Sequence, residues 1–305
     1  MEGTVQEGCN NFCTFCIIPW ARGLLRSRKP ESVLQQARTL VEAGYKEIVL
    51  TGIHTGGYGE DFEEYKLADL LWDLDKIDGL KRIRISSIEA SQIDERIIEV
   101  LNTSDKMCRH LHIPLQAGDD AVLKRMRRKY TVAEYKEKIE QIKAAMPQVA
   151  ITTDVIVGFP GETEEQFENG YQLIKELQFA ELHVFPYSIR TGTPAARMPD
   201  QVPAEIKQER VQRLIALSNQ LSFDYAQQFV GDVLDVIPER RYKESPDSGL
   251  LVGYSDNYIQ IAFPGNDELI GKVCRVRLDE PGAKVCMGTF VRMLEDSPSS
   301  TTEAV

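Results

Sequence analysis

Residues 4–28 read TVQEGCNNFCTFCIIPWARGLLRSR, and three of the six cysteines in the chain fall within that stretch, at positions 9, 13 and 16. Thr4–Glu7 predicts a short strand that feeds straight into the loop carrying Cys9, Cys13 and Cys16. The N-terminal residues MEGTVQEGCNN have neither a basic region nor an apolar one, so nothing suggests secretion and the cytoplasm is expected. In a reducing compartment close-set cysteines are metal ligands rather than disulfide partners. Three thiolates do not close a tetrahedral zinc site, although His54 is available as a fourth donor. The same three thiolates can hold an iron–sulfur cluster and leave one iron with an open position, which a catalytic metal site needs. The spacing favours the cluster, with structural zinc as the alternative.

Working outward, strand-like runs alternate with helix-period segments as far as residue 187. Helices are expected at Glu31–Ala43, Lys66–Leu74, Asp94–Asn102, Thr131–Ala145 and Glu164–Leu177. Between them Glu47–Thr51, Arg82–Ser86, His110–Leu115, Ile151–Gly158 and Glu181–Phe185 read as strands. This alternation implies an α/β fold with a parallel sheet, and six units make a partial (β/α)6 barrel rather than a complete eight-unit one. The loops following the strands (GCNNFCTFC, TGIHTGGYG, SIEASQ, QAGDD, GFPGET and PYSIRTGT) are rich in Gly and polar residues. In such barrels these loops build the active site.

Pro203–Phe229 predicts one long amphipathic helix with Ile206, Leu214, Leu217, Leu221 and Tyr225 on its apolar stripe. Short strands separated by turns follow, at Val233–Pro238, Gly249–Tyr254, Tyr258–Phe263, Gly271–Leu278 and Gly288–Arg292. They predict a small all-β barrel of the oligonucleotide-binding kind. The expected organisation is therefore residues 1–229, the α/β core with its C-terminal helix; 230–294, the β-barrel; and 295–305, a disordered tail.

A formal net charge of −11 excludes a generally basic nucleic-acid binder but leaves room for a local basic site. Lys124, Arg125, Arg127, Arg128 and Lys129 form the densest positive cluster, and Arg22, Arg26, Arg28 and Lys29 form a second. Both adjoin loops at the expected barrel mouth, where a splayed-out RNA base and its phosphates would enter; a solvated helix face is the alternative. No stretch approaches the roughly 18 apolar residues of a membrane span, so no membrane partner is expected. The four histidines read as packing residues, and Cys108, Cys274 and Cys286 as small buried hydrophobes. Tyr254, Tyr258 and Phe263 are candidates for base stacking or for the core of the β-module.

The triple Cys9-x3-Cys13-x2-Cys16, with Phe15 before the last cysteine, resembles the radical S-adenosylmethionine superfamily. That resemblance implies a [4Fe–4S] cluster whose open iron chelates S-adenosyl-L-methionine, split to methionine and a 5′-deoxyadenosyl radical. It also implies that Phe15 lies against the adenine. The run EGCNNFCTFCIIPWARGLLRSRKPE is similar to the methylthiotransferase branch, with Pro19, Arg22, Gly23, Arg26, Ser27 and Arg28 in its signature. HIPLQAGDDAVLKRMRRKYT, DVIVGFPGETEEQF and FPYSIRTGTPAA extend the likeness, and the β-module resembles a TRAM domain. SSIEASQ, RMRRKYT and HVFPYSIRTGTPAARM look most like enzymes that methylthiolate carbon 2 of N6-threonylcarbamoyladenosine at position 37 of tRNA. Alternatives are isopentenyladenosine-37, a ribosomal-protein aspartate, or a non-catalytic RNA-binding module with a structural metal.

Glu89, Gln116, Arg128 and Val157 are candidates for holding the cofactor, and the Gly158–Glu162 turn after Val157 either brings backbone near the adenine or is simply a tight turn. Glu89 and Gln116 can equally be strand caps. Arg22, Arg26, Arg28, Lys124, Arg125, Arg127 and Lys129 are the candidates for RNA contact, and no catalytic residue is singled out beyond the cluster. Implied partners are a tRNA anticodon loop, an electron donor such as flavodoxin or ferredoxin, and a sulfur donor. Family members also carry an upstream domain with three cysteines for a second [4Fe–4S] cluster, and those ligands are absent from this sequence. The expectation is a polypeptide that cleaves the cofactor but inserts no sulfur by itself.

Overall fold

The computed structural model describes residues 1–243 and 249–294. The predicted tail at 295–305 lies outside the described residues.

The elements follow in the order β1 (Glu2–Glu7), α1 (Ile18–Arg22), β2 (Arg26–Ser27), α2 (Pro30–Glu42), β3 (Glu47–Gly52), α3 (Leu67–Asp75) and β4 (Arg82–Ile85). Next come α4 (Glu95–Thr103), β5 (His110–His112), α5 (Asp120–Met126), α6 (Val132–Ala145), β6 (Ala150–Val157), α7 (Glu164–Leu177) and β7 (Glu181–Pro186). The chain ends with α8 (Ala204–Gln227), β8 (Val233–Arg241), β9 (Leu250–Ser255), β10 (Gln260–Pro264), β11 (Cys274–Glu280) and β12 (Cys286–Met293).

Strands β1, β3 and β4 pair in parallel, as do β5, β6 and β7. The two sets meet where Ile83 bridges Met107 and the Cys108 N–H donates to Ile83 O at 2.9 Å. Six parallel strands thus follow one another in chain order, with the short β2 antiparallel on the outer edge of β1. The arrangement agrees with the expected partial barrel. Strand alternation separates two faces. Ile48, Leu50, Val155 and Val157 are buried in the core, while Asp154 and Ile156 take the other face of β6. Helix starts carry the chemistry that orphan N–H groups need. Asp94 accepts from Ile97 N at 2.9 Å, and Thr131 with Glu134 and Thr163 with Gln166 form capping boxes.

Helix α8 forms as expected, but Ile206 is 39% exposed and the buried stripe is Arg210, Val211, Leu214, Leu217, Ser218, Leu221 and Ala226. An arginine hides in that stripe because Arg210 is neutralised by Glu162 and Glu164. The last five strands close into a barrel in the order β10-β12-β11-β8-β9. Ala226 at the end of α8 and Phe229 just beyond it bury into the same apolar cluster as Val236, Ile261, Phe263 and Leu278.

This small barrel docks on the N-terminal ends of the parallel strands, opposite the loops. Arg82 donates to Asp235 O and Tyr254 O, and Arg84 to Ser255 O and Asp256 O, at 3.0–3.3 Å. Both guanidiniums pair with Glu47, and Arg109 pairs with Asp256 at 2.7 Å. The Tyr258 ring stacks on His110 with centroids 4.0 Å apart, and Tyr254 stacks on Tyr258. Phe263 is fully buried. These aromatics are therefore spent on packing and on the junction.

Candidate active site

The cysteine loop leaves β1 through Gly8, whose φ of +70° and whose Cβ position 2.0 Å from Leu24 O admit no side chain. Three attachments then hold the loop. Cys9 N–H donates to Gly23 O, Thr14 bonds through its N–H to Met126 O and through its hydroxyl to Arg125 O, and Thr14 O accepts from Ala195 N–H. Beneath it the buried Gln6 side chain donates to Gly8 O and accepts from His54 N–H. Cys13 is buried, Cys9 and Cys16 are half-buried, and all three are free thiols. Burial raises the Cys9 and Cys13 thiols above their ordinary range, with Arg128 opposing it at Cys13. Donors face two of the sulfurs at 3.4 Å: Asn11 N–H at Cys9 and Arg128 Nη1 at Cys13.

The basic run divides. Arg127 closes α5 in the left-handed region (φ 57°), and that turn sends its neighbour Arg128 inward while Lys124, Arg127 and Lys129 remain exposed. Arg128 forms a buried ion pair with Glu89, bonds Tyr130 OH at 3.1 Å and lies over the Tyr130 ring. Arg125 holds Gly161 O and Gln166 instead of facing solvent. In the second cluster Arg22 and Arg26 are exposed, whereas Arg28 is tied to Thr4 O, Gln36 and Ser32. His54 contacts Asn11 at 3.3 Å. Among the described residues no three His, Cys, Asp or Glu side chains converge tightly enough to enclose a single ion.

A cavity of about 450 Å³ opens beside Phe15 and Cys16, walled by Ile17, Ile18, Gln116, Asp154, Ile156, Phe185, Pro186, Tyr187, Ser188 and Arg190. Gln116 has φ 65°, a strained conformation for a non-glycine residue, and its main chain is clamped between Asp154 O and Ile156 N. Its side-chain Oε1 is buried without a hydrogen-bond partner among the described residues. Val157 is buried away from this space and its carbonyl accepts from Tyr187 N–H. After it, Gly158 donates its N–H to Glu162 at 2.6 Å, and Glu162 is held by Arg210 at 2.7 Å. Phe159 meets Phe15 edge-on.

Four features escaped sequence reasoning. Trp20 is 72% exposed beside Phe12, the most exposed large apolar side chain among the described residues. Asp154 lines the cavity and contacts His112 at 3.3 Å. Arg190 stands at the cavity, and Gln6 supports the loop from below. Only the exposed tryptophan left a local trace, since WARGLLRSR interleaves one aromatic with three arginines.

The profile of the radical SAM superfamily matches residues 4–174. This chain belongs to the radical SAM superfamily. It is 60% identical over 293 residues to threonylcarbamoyladenosine tRNA methylthiotransferase MtaB of Bacillus subtilis (strain 168), covering 96% of this chain and 65% of that protein. It is 43% identical over 285 residues to tRNA-2-methylthio-N(6)-dimethylallyladenosine synthase of Desulfitobacterium hafniense (strain Y51), covering 93% and 63%. The chain spans between about half and two thirds of the length of the curated relatives it matches.

Among solved structures, coproporphyrinogen III oxidase HemN of Escherichia coli superimposes with a TM-score of 0.52 at 14% identity, covering 91% of this chain and 66% of that one. The methyltransferase TsrM of Kitasatospora setae gives 0.54 at 16% identity, covering 64% and 38%. These two share the fold alone.

Superfamily membership implies a [4Fe–4S] cluster and S-adenosylmethionine, and the residues fit both. Three free thiols project from one loop with N–H donors aimed at two sulfurs, as thiolate ligands require. The adjoining cavity is large enough for a small-molecule ligand and presents an orphaned amide oxygen on Gln116. Among the described residues no helix is long and apolar enough to cross a membrane.

Proposed function

We propose that this protein is a radical SAM enzyme of tRNA modification, adding the methylthio group at carbon 2 of N6-threonylcarbamoyladenosine-37, in the cytoplasm. The observation that carries the chemistry is the cysteine loop itself. Cys9, Cys13 and Cys16 lie at the C-terminal end of the first parallel strand, with the Arg128–Glu89 pair against Cys13 and the cavity beside Cys16. The substrate assignment is supported by the names of the relatives, of which the threonylcarbamoyladenosine enzyme stands at 60% identity and the dimethylallyladenosine one above at 43%.

In this reading Cys9, Cys13 and Cys16 hold the cluster, and Phe15, Glu89, Gln116, Arg128 and the backbone from Val157 hold the cofactor. A cluster held by these thiolates would, once reduced by an external electron donor, supply the electron for reductive cleavage of a C–S bond of the cofactor's sulfonium. The chain's own residues do the rest by binding and exclusion. Arg128 balances negative charge beside Cys13, Gln116 offers an amide to a hydroxyl or N–H, and the walls of Phe15, Ile17, Ile156 and Phe185 keep water away. Exposed Arg22, Arg26, Lys124, Arg127 and Lys129 would neutralise RNA phosphates around the mouth. Residues 1–229 and 230–294 are taken as two domains, the second TRAM-like.

Anaerobic reconstitution with iron and sulfide tests the chemistry. A brown protein that releases 5′-deoxyadenosine from S-adenosylmethionine on reduction is the expected result. A colourless protein that retains one tight zinc and releases none would refute it. Nucleoside analysis of tRNA from a deletion strain tests the target, with loss of the 2-methylthio form of threonylcarbamoyladenosine expected.

A further inference from the structure

Two ionic side chains line the cavity beside Phe15, Asp154 and Arg190, and they are not paired with each other. Asp154 sits on the inner face of β6, where strand alternation turns Asp154 and Ile156 toward the cavity and Val155 and Val157 away from it. Its only ion-pair partner among the described residues is His112 at 3.3 Å, whose other ring nitrogen bonds Thr152 at 2.9 Å. Those contacts fix the carboxylate and leave acceptor capacity facing the cavity.

Arg190 lies in the loop after β7. Its carbonyl accepts from both the N–H and the hydroxyl of Thr193, which is 1% exposed, and Ala195 ties the same segment to Thr14 of the cysteine loop. The backbone is thus pinned while the guanidinium is exposed and has no hydrogen-bond or ion-pair partner among the described residues. The remaining wall is mainly apolar: Phe15, Ile17, Ile18, Ile156, Phe185 and Pro186. With Phe15 and Gln116 given to the cofactor beside Cys16, the Asp154 carboxylate and the Arg190 guanidinium, which form no ion pair with each other, are left to suit a second ligand bearing an N–H donor and a carboxylate. A purely hydrocarbon substituent would use neither group.

We infer that Arg190 determines substrate specificity by taking the carboxylate of an amino-acid substituent on the target nucleobase, with Asp154 accepting an N–H of that substituent. This rests on the reading of the protein as a tRNA-modifying enzyme. Arg binds carboxylates through paired charge-assisted hydrogen bonds, and a site built for such a group rejects an analogue that lacks it.

The test uses the anaerobically reconstituted chain and two synthetic anticodon stem-loop RNAs. One carries N6-threonylcarbamoyladenosine at the target position, the other its uncharged threoninamide counterpart. Fluorescence anisotropy gives Kd for each. Wild-type protein should favour the carboxylate by roughly 10- to 100-fold, the range expected for hydrogen bonds to a charged group. Arg190→Gln should bind both RNAs equally, at the affinity of the amide. Asp154→Asn should weaken both by a similar factor and keep the carboxylate preference.

A preference that survives Arg190→Gln, or its absence in the wild type, overturns the role of Arg190. Unchanged binding by Asp154→Asn overturns that of Asp154. Failure of the underlying reading looks different, because neither RNA would then bind the wild-type protein.

Discussion

The two ends of the parallel sheet treat polar groups in opposite ways. At the N-terminal end Arg82 and Arg84 are 6% and 4% exposed, yet Glu47 and four carbonyls of the small barrel receive their guanidinium N–H groups. His110 is buried there under Tyr258, and burial together with the nearby Arg84 holds it well below the usual histidine range, hence neutral. At the C-terminal end, among the described residues, Gln116 has a buried oxygen without a partner, the Arg190 guanidinium has no ion pair, and Trp20, Leu24 and Phe185 stand at least half exposed. The charges at the first end are paired, although Arg82 Nε and His110 Nδ1 are buried without a hydrogen-bond partner among the described residues, whereas at the second end a whole guanidinium is left unpaired. Paired charges hold a junction rigid, whereas an unpaired cation beside exposed aromatics marks where a ligand completes the structure.

The largest expected effect falls at the C-terminal end. Cys13→Ala should abolish iron retention and 5′-deoxyadenosine release, with far-ultraviolet circular dichroism unchanged. A brown, active variant would break the contrast, because the loop would then not be a ligand set. Next comes the N-terminal end, where the charges are paired. Arg84→Ala strips Glu47 of one partner in a buried site and should cost about 3–5 kcal/mol in urea unfolding. A cost within the roughly 0.5 kcal/mol of an ordinary surface change would mean that the junction is not tightly packed.

Trp20→Ala sharpens the comparison because the two readouts should separate. Stability should hardly change at a side chain 72% exposed. Binding of an anticodon stem-loop should weaken by about 1–3 kcal/mol if a base stacks there. Equal binding would remove Trp20 from the RNA surface. The smallest effect is acid sensitivity of the junction. Burial alone would raise the Glu47 carboxyl, but Arg82 and Arg84 outweigh it and hold Glu47 below its ordinary 4.5. A depressed pKa gives stability that is present above 4.5 and lost as pH falls through the folded value. Wild type should therefore lose more of its urea midpoint than Glu47→Gln between pH 6 and pH 3. Parallel losses would show that Glu47 is not the titrating group.

Much of the fold was legible because its signals are local. Helix α7 is legible over its whole length because the helical period of Phe167, Leu173, Ile174 and Leu177 is local, and the structure caps it with Thr163 and Gln166 and ends it at a left-handed Gln178. The segments that became α1 and β2 were missed, since a five-residue helix and a two-residue strand carry no periodicity and exist only because β1 and the cysteine loop hold them. Within the site, the basic run 124–129 was legible as a cluster but not as a division of labour. The left-handed turn at Arg127 sends Arg128 to Glu89 and leaves its neighbours in water, and sequence spacing does not reveal that turn.

By itself, then, the sequence determined what depends on near neighbours. Three thiols within eight residues must share a loop, Gly8 and the capping residues set where elements begin and end, and the β-α alternation leaves a parallel sheet as the arrangement that buries the apolar faces. Only the tertiary structure decided which polar groups found partners. Glu47 meets Arg82 and Arg84, Asp154 meets His112, and the Arg190 guanidinium meets no partner among the described residues. Those outcomes depend on side chains from distant strands arriving at one place in a low-dielectric interior, where an unmatched charge is costly and a matched one is fixed. No local pattern encodes that meeting, so the cluster loop could be read from spacing while the specificity of its cavity could not.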